Sequence, residues 1–167
     1  MSETNLLQTL YSFQKGNIFA CWTFISTGSL HAQALGLHNN ASMAGDAVEE
    51  RHRKTRLFWH IYSLERVVSL RLQHPSTIRD DYITVPKPEA QPSASVAFRQ
   101  SLLDSVNAAR IYGLLFDNIY NPRALAEPQE VRGARIDALA AEWLEVSISK
   151  AENLVCKPSL SLLSVSN

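Results

Sequence analysis

The sequence carries no excess of charge of either sign. Its 16 Lys and Arg residues balance 16 Asp and Glu residues, which gives a formal net charge of zero. Proteins that bind nucleic acid on their own draw most of their affinity from clustered Lys and Arg, so the balance of charge argues against that class of protein.

Cysteine is scarce as well. Cys21 and Cys156 lie far apart, so neither a disulfide framework nor a cysteine-ligated zinc site is predicted, and a reducing compartment fits best.

Long hydrophobic runs are also missing. The longest apolar-rich stretch, residues 18–25, is far shorter than the roughly 20 residues that a membrane helix needs. The N-terminus has no basic stretch leading into an apolar run, which removes the secretory-signal interpretation. The sequence therefore predicts no contact with a membrane.

The usual signals of enzyme chemistry are not found either. No glycine-rich phosphate loop and no G-x-S-x-G nucleophile elbow is present. The five histidines show no H-x-x-x-H spacing and no neighbouring acid at ligand spacing, so each is interpreted as an ordinary surface or core residue. Cys21 lies in an apolar stretch, where a thiol behaves as a small hydrophobe. We predict no catalytic residue, no metal site and no cofactor in this chain.

Helical periodicity is what the sequence does contain, with 46% hydrophobic residues to build a core. A first helix is predicted to end at Gly16, and a second, capped by Asn17, to end at Gly36; together they form an antiparallel hairpin. A long third helix is predicted to start at a capping box of Asp46 and Glu49. Its second half should be buried on several sides, with Phe58 or Trp59, Ile61, Leu64 and Val68 in the core.

Prolines divide the remainder of the chain. Pro75 is predicted to end the third helix, and Pro86, Pro88 and Pro92 to keep residues 73–95 extended. A fourth helix is predicted over 96–119, stopped by the Asn-Pro pair at 121–122, and a fifth with Pro128 in its first turn. The expected fold is all-α, a multi-helix array of antiparallel helix pairs with one proline-rich extended connector. Residues 158–167 are predicted to be a loose tail.

Two groups of charged residues need an interpretation. The basic cluster at residues 51–56 is a nuclear localisation patch, a phosphate contact or the solvated start of an amphipathic helix, and the last is favoured because Glu49 and Glu50 partly balance it. Glu65 and Arg66 fall in an apolar helix half, where each needs a partner if buried. A buried bridge from Arg66 to Asp80 or Asp81, pinning the connector to the helix, is favoured over a ligand site.

Several stretches together resemble a known family. The runs AQALGLH at 32–38, ERHRKTRLFWHIYSLER at 50–66, HP at 74–75 and IRDDYITVP at 78–86 resemble the regulatory domain of fungal zinc binuclear cluster transcription factors of the xylanolytic activator type. That family has the motifs A-x-x-L-G-L-H, R-R-R-x-F-W-x-x-Y-x-x-D-R, G-R-P and I-x-D-x-D-I-x-V-P-x-P in this order. The structural or regulatory motif residues that the resemblance implies are Gly36, Leu37, His38, Arg53, Arg56, Phe58, Trp59, Tyr62, Glu65, Arg66, Pro75, Asp80, Asp81 and Pro86.

The chain also departs from the family pattern. Glu65 stands for the usual Asp, and Gln73-His74 for Gly-Arg before Pro75, so a looser turn is expected there. The six-cysteine zinc cluster of the family is not in this sequence, so the family's zinc and its DNA reading belong to an N-terminal module that is absent here. Residues 1–157 are therefore expected to form a partial, truncated regulatory domain, best matched over 6–88.

The resemblance implies a regulator of transcription that works in the nucleus. Its partners would be other proteins or other domains of the regulator, with no specific DNA binding by this chain alone and no catalysis. Two alternatives stay open: a stand-alone helical protein-interaction module that pairs with relatives, and a nonfunctional truncated remnant.

Overall fold

A computed structural model describes residues 2–88 and 95–155 of the chain. These residues form six α-helices and no strand, so the all-α prediction is confirmed. The helices are α1 (Ser2–Gln14), α2 (Ile18–Ala34), α3 (Val48–Arg71), α4 (Val96–Leu115), α5 (Pro122–Leu125) and α6 (Gln129–Val155). Cys156 and the predicted tail lie outside the described residues.

The first three helices all end in the same way. Each is followed by a residue in the left-handed conformation, at Gly16 (φ 70°), Gly36 (φ 68°) and Gln73 (φ 55°). The next amide N–H donates back to the carbonyl five residues earlier, as from His74 to Ser69, which is the Schellman motif. The two glycine ends were predicted. Pro75 does not end α3, because the helix already stops at Arg71 through the turn at Gln73.

The hairpin of α1 and α2 forms as predicted, but α1 turns its polar side inward. Thr9 is fully buried and Ser12 nearly so, whereas Leu7 and Tyr11 are 66% and 62% exposed. The Thr9 hydroxyl donates to the Asn5 carbonyl one turn earlier at 2.7 Å, so burying it leaves no unpaired donor. Leu6 packs against the core, whereas most of the other apolar side chains of α1 remain on the surface.

The long helix α3 lies between α2 on one side and α4 on the other. Phe58, Trp59, Ile61 and Val68 are buried as predicted, and they form the centre of the core with Ile25 of α2. Leu64 is only partly buried, so its predicted place at the centre of the core is wrong.

The predicted capping box at the start of α3 is also wrong. The N-cap is Ala47, which has no side-chain cap. Asp46 lies one residue too early to cap the helix, and its carboxylate accepts a hydrogen bond at 2.8 Å from the Lys54 ammonium instead.

Over residues 72–88 the connector after α3 is irregular, with a 3₁₀ turn at Asp80–Tyr82. Ile78 and Val85 anchor it in the core.

Farther on, α4 is capped by the Ser95 hydroxyl and continues into a π-helical turn at Phe116–Tyr120. Sequence reasoning missed the short α5. Pro128 precedes α6 rather than lying in its first turn.

Candidate functional site

The motif side chains of α3 converge on the connector. Trp59, Tyr62 and Arg66 follow one another at helical spacing and therefore share a face of α3. The Trp59 indole N–H donates to the Pro86 carbonyl at 2.9 Å. The Tyr62 hydroxyl donates to Asp80 Oδ1 at 2.9 Å. Burial raises the pKa of Tyr62 above its usual range, with the Asp80 carboxylate adding to the effect, so the hydroxyl keeps its proton and remains a donor.

Arg66 makes the central ion pair of this site. Its Nη2 donates to Asp80 Oδ1 at 2.7 Å and to the Ile78 carbonyl at 2.9 Å. The predicted bridge from Arg66 to the connector is thus present, and Asp80 is the partner. The Arg66 side chain is 6% exposed while that of Asp80 is 44% exposed, so the pair joins the interior of the domain to its surface. The guanidinium also lies 5.1 Å from the centre of the Tyr62 ring.

A glycine on α4 provides the space that Arg66 occupies. A Cβ atom built on Gly113 would lie 2.7 Å from Cζ of Arg66, so close that the guanidinium would have to move. Sequence reasoning missed Gly113. The available signal was an isolated glycine inside a helical pattern, which often marks a close approach.

Glu65 is fully buried, and among the residues that the structure describes it is held by hydrogen bonds rather than by a cation. Its Oε1 accepts from the Thr77 amide at 2.7 Å, the Thr77 hydroxyl at 3.0 Å and the Ser69 hydroxyl at 3.2 Å. Its Oε2 accepts from the Ser76 hydroxyl at 2.6 Å. A carboxylate only accepts hydrogen bonds, so it suits a position that is surrounded by donors. The Thr77 hydroxyl also lies 2.7 Å from that of Ser29 on α2, and this contact joins three parts of the chain.

The loop after α2 holds the far end of the connector. The His38 carbonyl accepts hydrogen bonds from the amides of Thr84 at 2.9 Å and Val85 at 3.3 Å. Leu37 is in the core. Gly36 has the Ser42 hydroxyl 2.6 Å from the place where a Cβ would be, so both its backbone conformation and its surroundings require glycine.

The remaining motif residues lie apart from this network. Arg53, at the start of α3, is paired with Glu3 and with Glu50. Arg56 is half-buried on the same helix. Asp81 is 80% exposed and lies 3.5 Å from Arg79, so it is not the partner of Arg66. Pro75 is exposed and borders a cavity of about 380 Å³ beside Arg66.

Within residues 2–88 and 95–155, no group of three His, Cys, Asp or Glu side chains is placed to hold a metal ion. None of the helices in this part of the chain is long and apolar enough to cross a membrane. The geometry around Arg66 and Glu65 thus defines a helical domain whose connector is fastened by buried polar contacts.

Comparison with known proteins gives the family. The chain belongs to the fungal specific transcription factor domain family, whose model matches residues 2–132. It is 29% identical over 130 residues to an uncharacterized transcriptional regulatory protein of Schizosaccharomyces pombe, a match that covers 70% of this chain and 17% of the relative. It is 27% identical over 117 residues to the thiamine repressible genes regulatory protein thi1 of the same organism, covering 67% of this chain and 15% of the relative. No solved structure matches.

These findings confirm the family inferred from the sequence motifs. The relatives are named as transcriptional regulators, not as enzymes. The chain spans about a sixth of the length of these relatives.

Proposed function

We propose that this chain is a regulatory module that does not itself read DNA, and that it acts through contacts with other domains or proteins in the nucleus. One observation carries the proposal: the motif side chains of α3 are used on the domain itself. Trp59, Tyr62, Glu65 and Arg66 are all buried and hydrogen-bonded to the connector. The family motif is thus a folding motif, which leaves regulation to the surfaces and cavities of the folded domain.

The charge distribution supports the same proposal. Arg53 is engaged by Glu3 and Glu50, and Lys54 by Asp46, so much of the basic cluster is neutralised within the domain. A chain with zero net charge offers DNA only weak attraction without sequence preference. We further propose that the chain takes no metal, since two distant cysteines cannot build a binuclear cluster, and that it catalyses no reaction.

A fusion experiment tests this function. The chain is inserted between an unrelated DNA-binding domain and an activation domain, and reporter transcription is compared with a fusion that has a flexible linker of equal length. We expect the inserted chain to change reporter output and to support accumulation of a fluorescent fusion in the nucleus. The variant Arg66→Met, which releases the connector, should reduce the change in reporter output. The control variant Glu130→Gln, at an exposed position of α6, should leave it unchanged. Reporter output equal to that of the linker fusion would contradict the proposal.

The stand-alone interaction module is the second candidate. The exposed apolar side chains of α1 and α6, such as Leu7 and Leu144, favour it because exposed apolar surface commonly marks a protein contact. Retention of partner binding by the chain without any fused domain would support this candidate.

A further inference from the structure

A second cavity lies on a different face of α3 from the connector. Side chains of α1, α3, α4 and α6 line this cleft, which has a volume of about 540 Å³. That volume is within the range of roughly 300 to 1,000 Å³ typical of small-molecule sites. None of the motif residues described above lines it. The cleft therefore shares no side chain with the hydrogen-bond network around Arg66, although Tyr112 borders both this cleft and the cavity beside Arg66.

Most of the cleft wall is apolar and one part of it is aromatic. Leu10 of α1 and Leu64 of α3 contribute aliphatic surface. The rings of Tyr112 on α4 and Trp143 on α6 lie 5.6 Å apart, tilted by 32°. Trp143 remains 40% exposed, so it offers a flat surface on which a planar ring can stack.

Besides hydroxyl groups, of which those of Ser63 and Ser105 already donate to backbone carbonyls, the cleft is lined by His60 and Asp104. Among the described residues, neither ring nitrogen of His60 has a hydrogen-bond partner, and burial together with the nearby Arg56 lowers the pKa of His60. The neutral ring retains an acceptor nitrogen. Oδ1 of Asp104 accepts a hydrogen bond from the side-chain amide of Gln100 at 2.9 Å. Its Oδ2 has no hydrogen bond within the part of the chain that the structure describes. No Lys or Arg of the described residues lines the cleft, and the cation whose charge acts on His60 is Arg56.

We propose that this cleft binds a planar aromatic molecule that carries an amino group, with its ring against Trp143 and its N–H groups donating to Asp104 and His60. Binding itself does not depend on the function proposed above. The role of such a molecule as an effector of transcription does rest on that function.

The polar lining favours a small molecule over a docked helix. An amphipathic helix would press its apolar face onto the cleft and bury Oδ2 of Asp104 and the His60 ring without further donors, which is costly. A small molecule with two N–H donors satisfies both groups and still covers Leu64 and Trp143.

Aminoquinoline is a suitable probe because it is planar, fluorescent and carries an amino group. Quinoline lacks the amino donors, and quinoline carboxylate replaces them with an anion. The purified full chain is titrated with each compound, and binding is followed by ligand fluorescence and by the indole N–H resonance of Trp143, assigned with Trp143→Phe. We expect saturable binding of aminoquinoline at one site, at least about tenfold tighter than that of either control, or about 1.4 kcal/mol.

Three variants locate the site. Asp104→Asn should weaken aminoquinoline binding at least about tenfold, and Ala108→Phe, which fills the cleft, should abolish it. Glu145 is exposed on α6 and does not line the cleft, so the control variant Glu145→Gln should bind normally. Thermal unfolding of each variant shows whether it is folded; if Ala108→Phe is not, Asp104→Asn still decides.

Equal affinities for the three compounds, or unchanged binding by Asp104→Asn, would overturn the proposal. It would also be wrong if a leucine-rich amphipathic peptide shifted the Trp143 resonance while aminoquinoline did not, since the cleft would then be a helix-docking groove. None of these results bears on the reporter experiment, so the two proposals can fail independently.

Discussion

The Arg66 guanidinium is one of several groups that fasten the connector to the helical core. Arg66 donates to one backbone carbonyl and one carboxylate of the connector, and Gly113 leaves it the space to do so. Its Nε is buried without a partner in the described part of the chain, so the group is already incompletely paired. Removing its remaining contacts should be costly.

Arg66→Met should lower the free energy of unfolding by about 2 to 3 kcal/mol, because the Ile78 carbonyl loses a charged donor, while the partly exposed Asp80 limits the loss from the ion pair. Gly113→Ala should destabilise by about 1 to 3 kcal/mol, because its Cβ displaces Arg66. In the double variant the two effects should overlap by at least about 1 kcal/mol. Gly133→Ala on α6 is the control, since its Cβ would meet nothing within 4 Å. Unfolding in denaturant compares these four variants with the wild type, and strictly additive effects of Arg66→Met and Gly113→Ala would refute the contact.

Gln73 has the left-handed backbone conformation that glycine adopts more easily. Gln73→Gly should therefore raise the free energy of unfolding by about 0.5 to 1 kcal/mol. The reverse change, Gly16→Ala, provides a matched comparison, because Gly16 has a similar φ of 70° and open space around it. It should destabilise by about 1 kcal/mol through backbone strain alone. A loss of stability in Gln73→Gly would mean that the Gln side chain makes a contribution that outweighs its strain.

At the scale of the elements, the sequence predicted helices better than their surroundings. The helix ends at Gly16 and Gly36 were predictable because glycine tolerates a positive φ. The end of α3 was not, because Gln73 carries no such signal. Periodicity also located α1 correctly without revealing that Thr9 and Ser12, rather than Leu7, face the core. Orientation depends on which side chains the neighbouring helix accepts, and that information is not local to α1.

Some contacts of the candidate site were predictable from the sequence and others were not. The bridge between Arg66 and Asp80 was predictable because an unpaired guanidinium in an apolar helix half needs an acid nearby. Glu65 was seen to need a partner, but its donors are hydroxyl and amide groups of Ser69, Ser76 and Thr77, residue types too common to single out. Gly113 lies 47 positions after Arg66, and only tertiary packing brings the two together.

His60, which lines the cleft beside α3, should make the stability of the protein depend on pH. Burial, with Arg56 nearby, lowers the pKa of His60 in the folded state, while in the unfolded chain it is about 6.5. The folded protein therefore resists protonation at this site. Stability should be constant above about pH 7 and fall as the pH drops below about 6.5, by at most about 1.4 kcal/mol per pH unit for one proton. Unfolding at several pH values between about 5 and 8 should show a smaller fall for His60→Gln. Identical pH profiles for the two proteins would show that His60 is not the group responsible.

At the scale of the whole molecule, apolar surface is left uncovered at both ends of the helical array. Leu7 and Tyr11 of α1 are more than half exposed, and Leu144 and Ile148 of α6 about half. We expect the isolated chain to associate with itself as its concentration rises, since such surfaces attract each other. Sedimentation velocity over a range of concentrations measures this. The paired variant Leu7→Ser with Leu144→Ser should shift the equilibrium toward monomer, and a wild-type chain that stays monomeric at high concentration would contradict the expectation.

The charge of the whole molecule leads to a prediction about DNA. Base readout needs an element that enters a groove, and in the zinc-cluster family that element is a cysteine-rich module, which the two cysteines of this chain cannot form. What remains is the basic start of α3, where Arg53 and Lys54 are already paired with acids. Such a patch gives weak attraction that falls steeply with salt. A mobility-shift titration at physiological salt should therefore show equal affinity for a site recognised by a related regulator and for a scrambled sequence, and Arg53→Gln should weaken both equally. A preference for the recognised site of tenfold or more, about 1.4 kcal/mol, would mean that the chain contains a reading element.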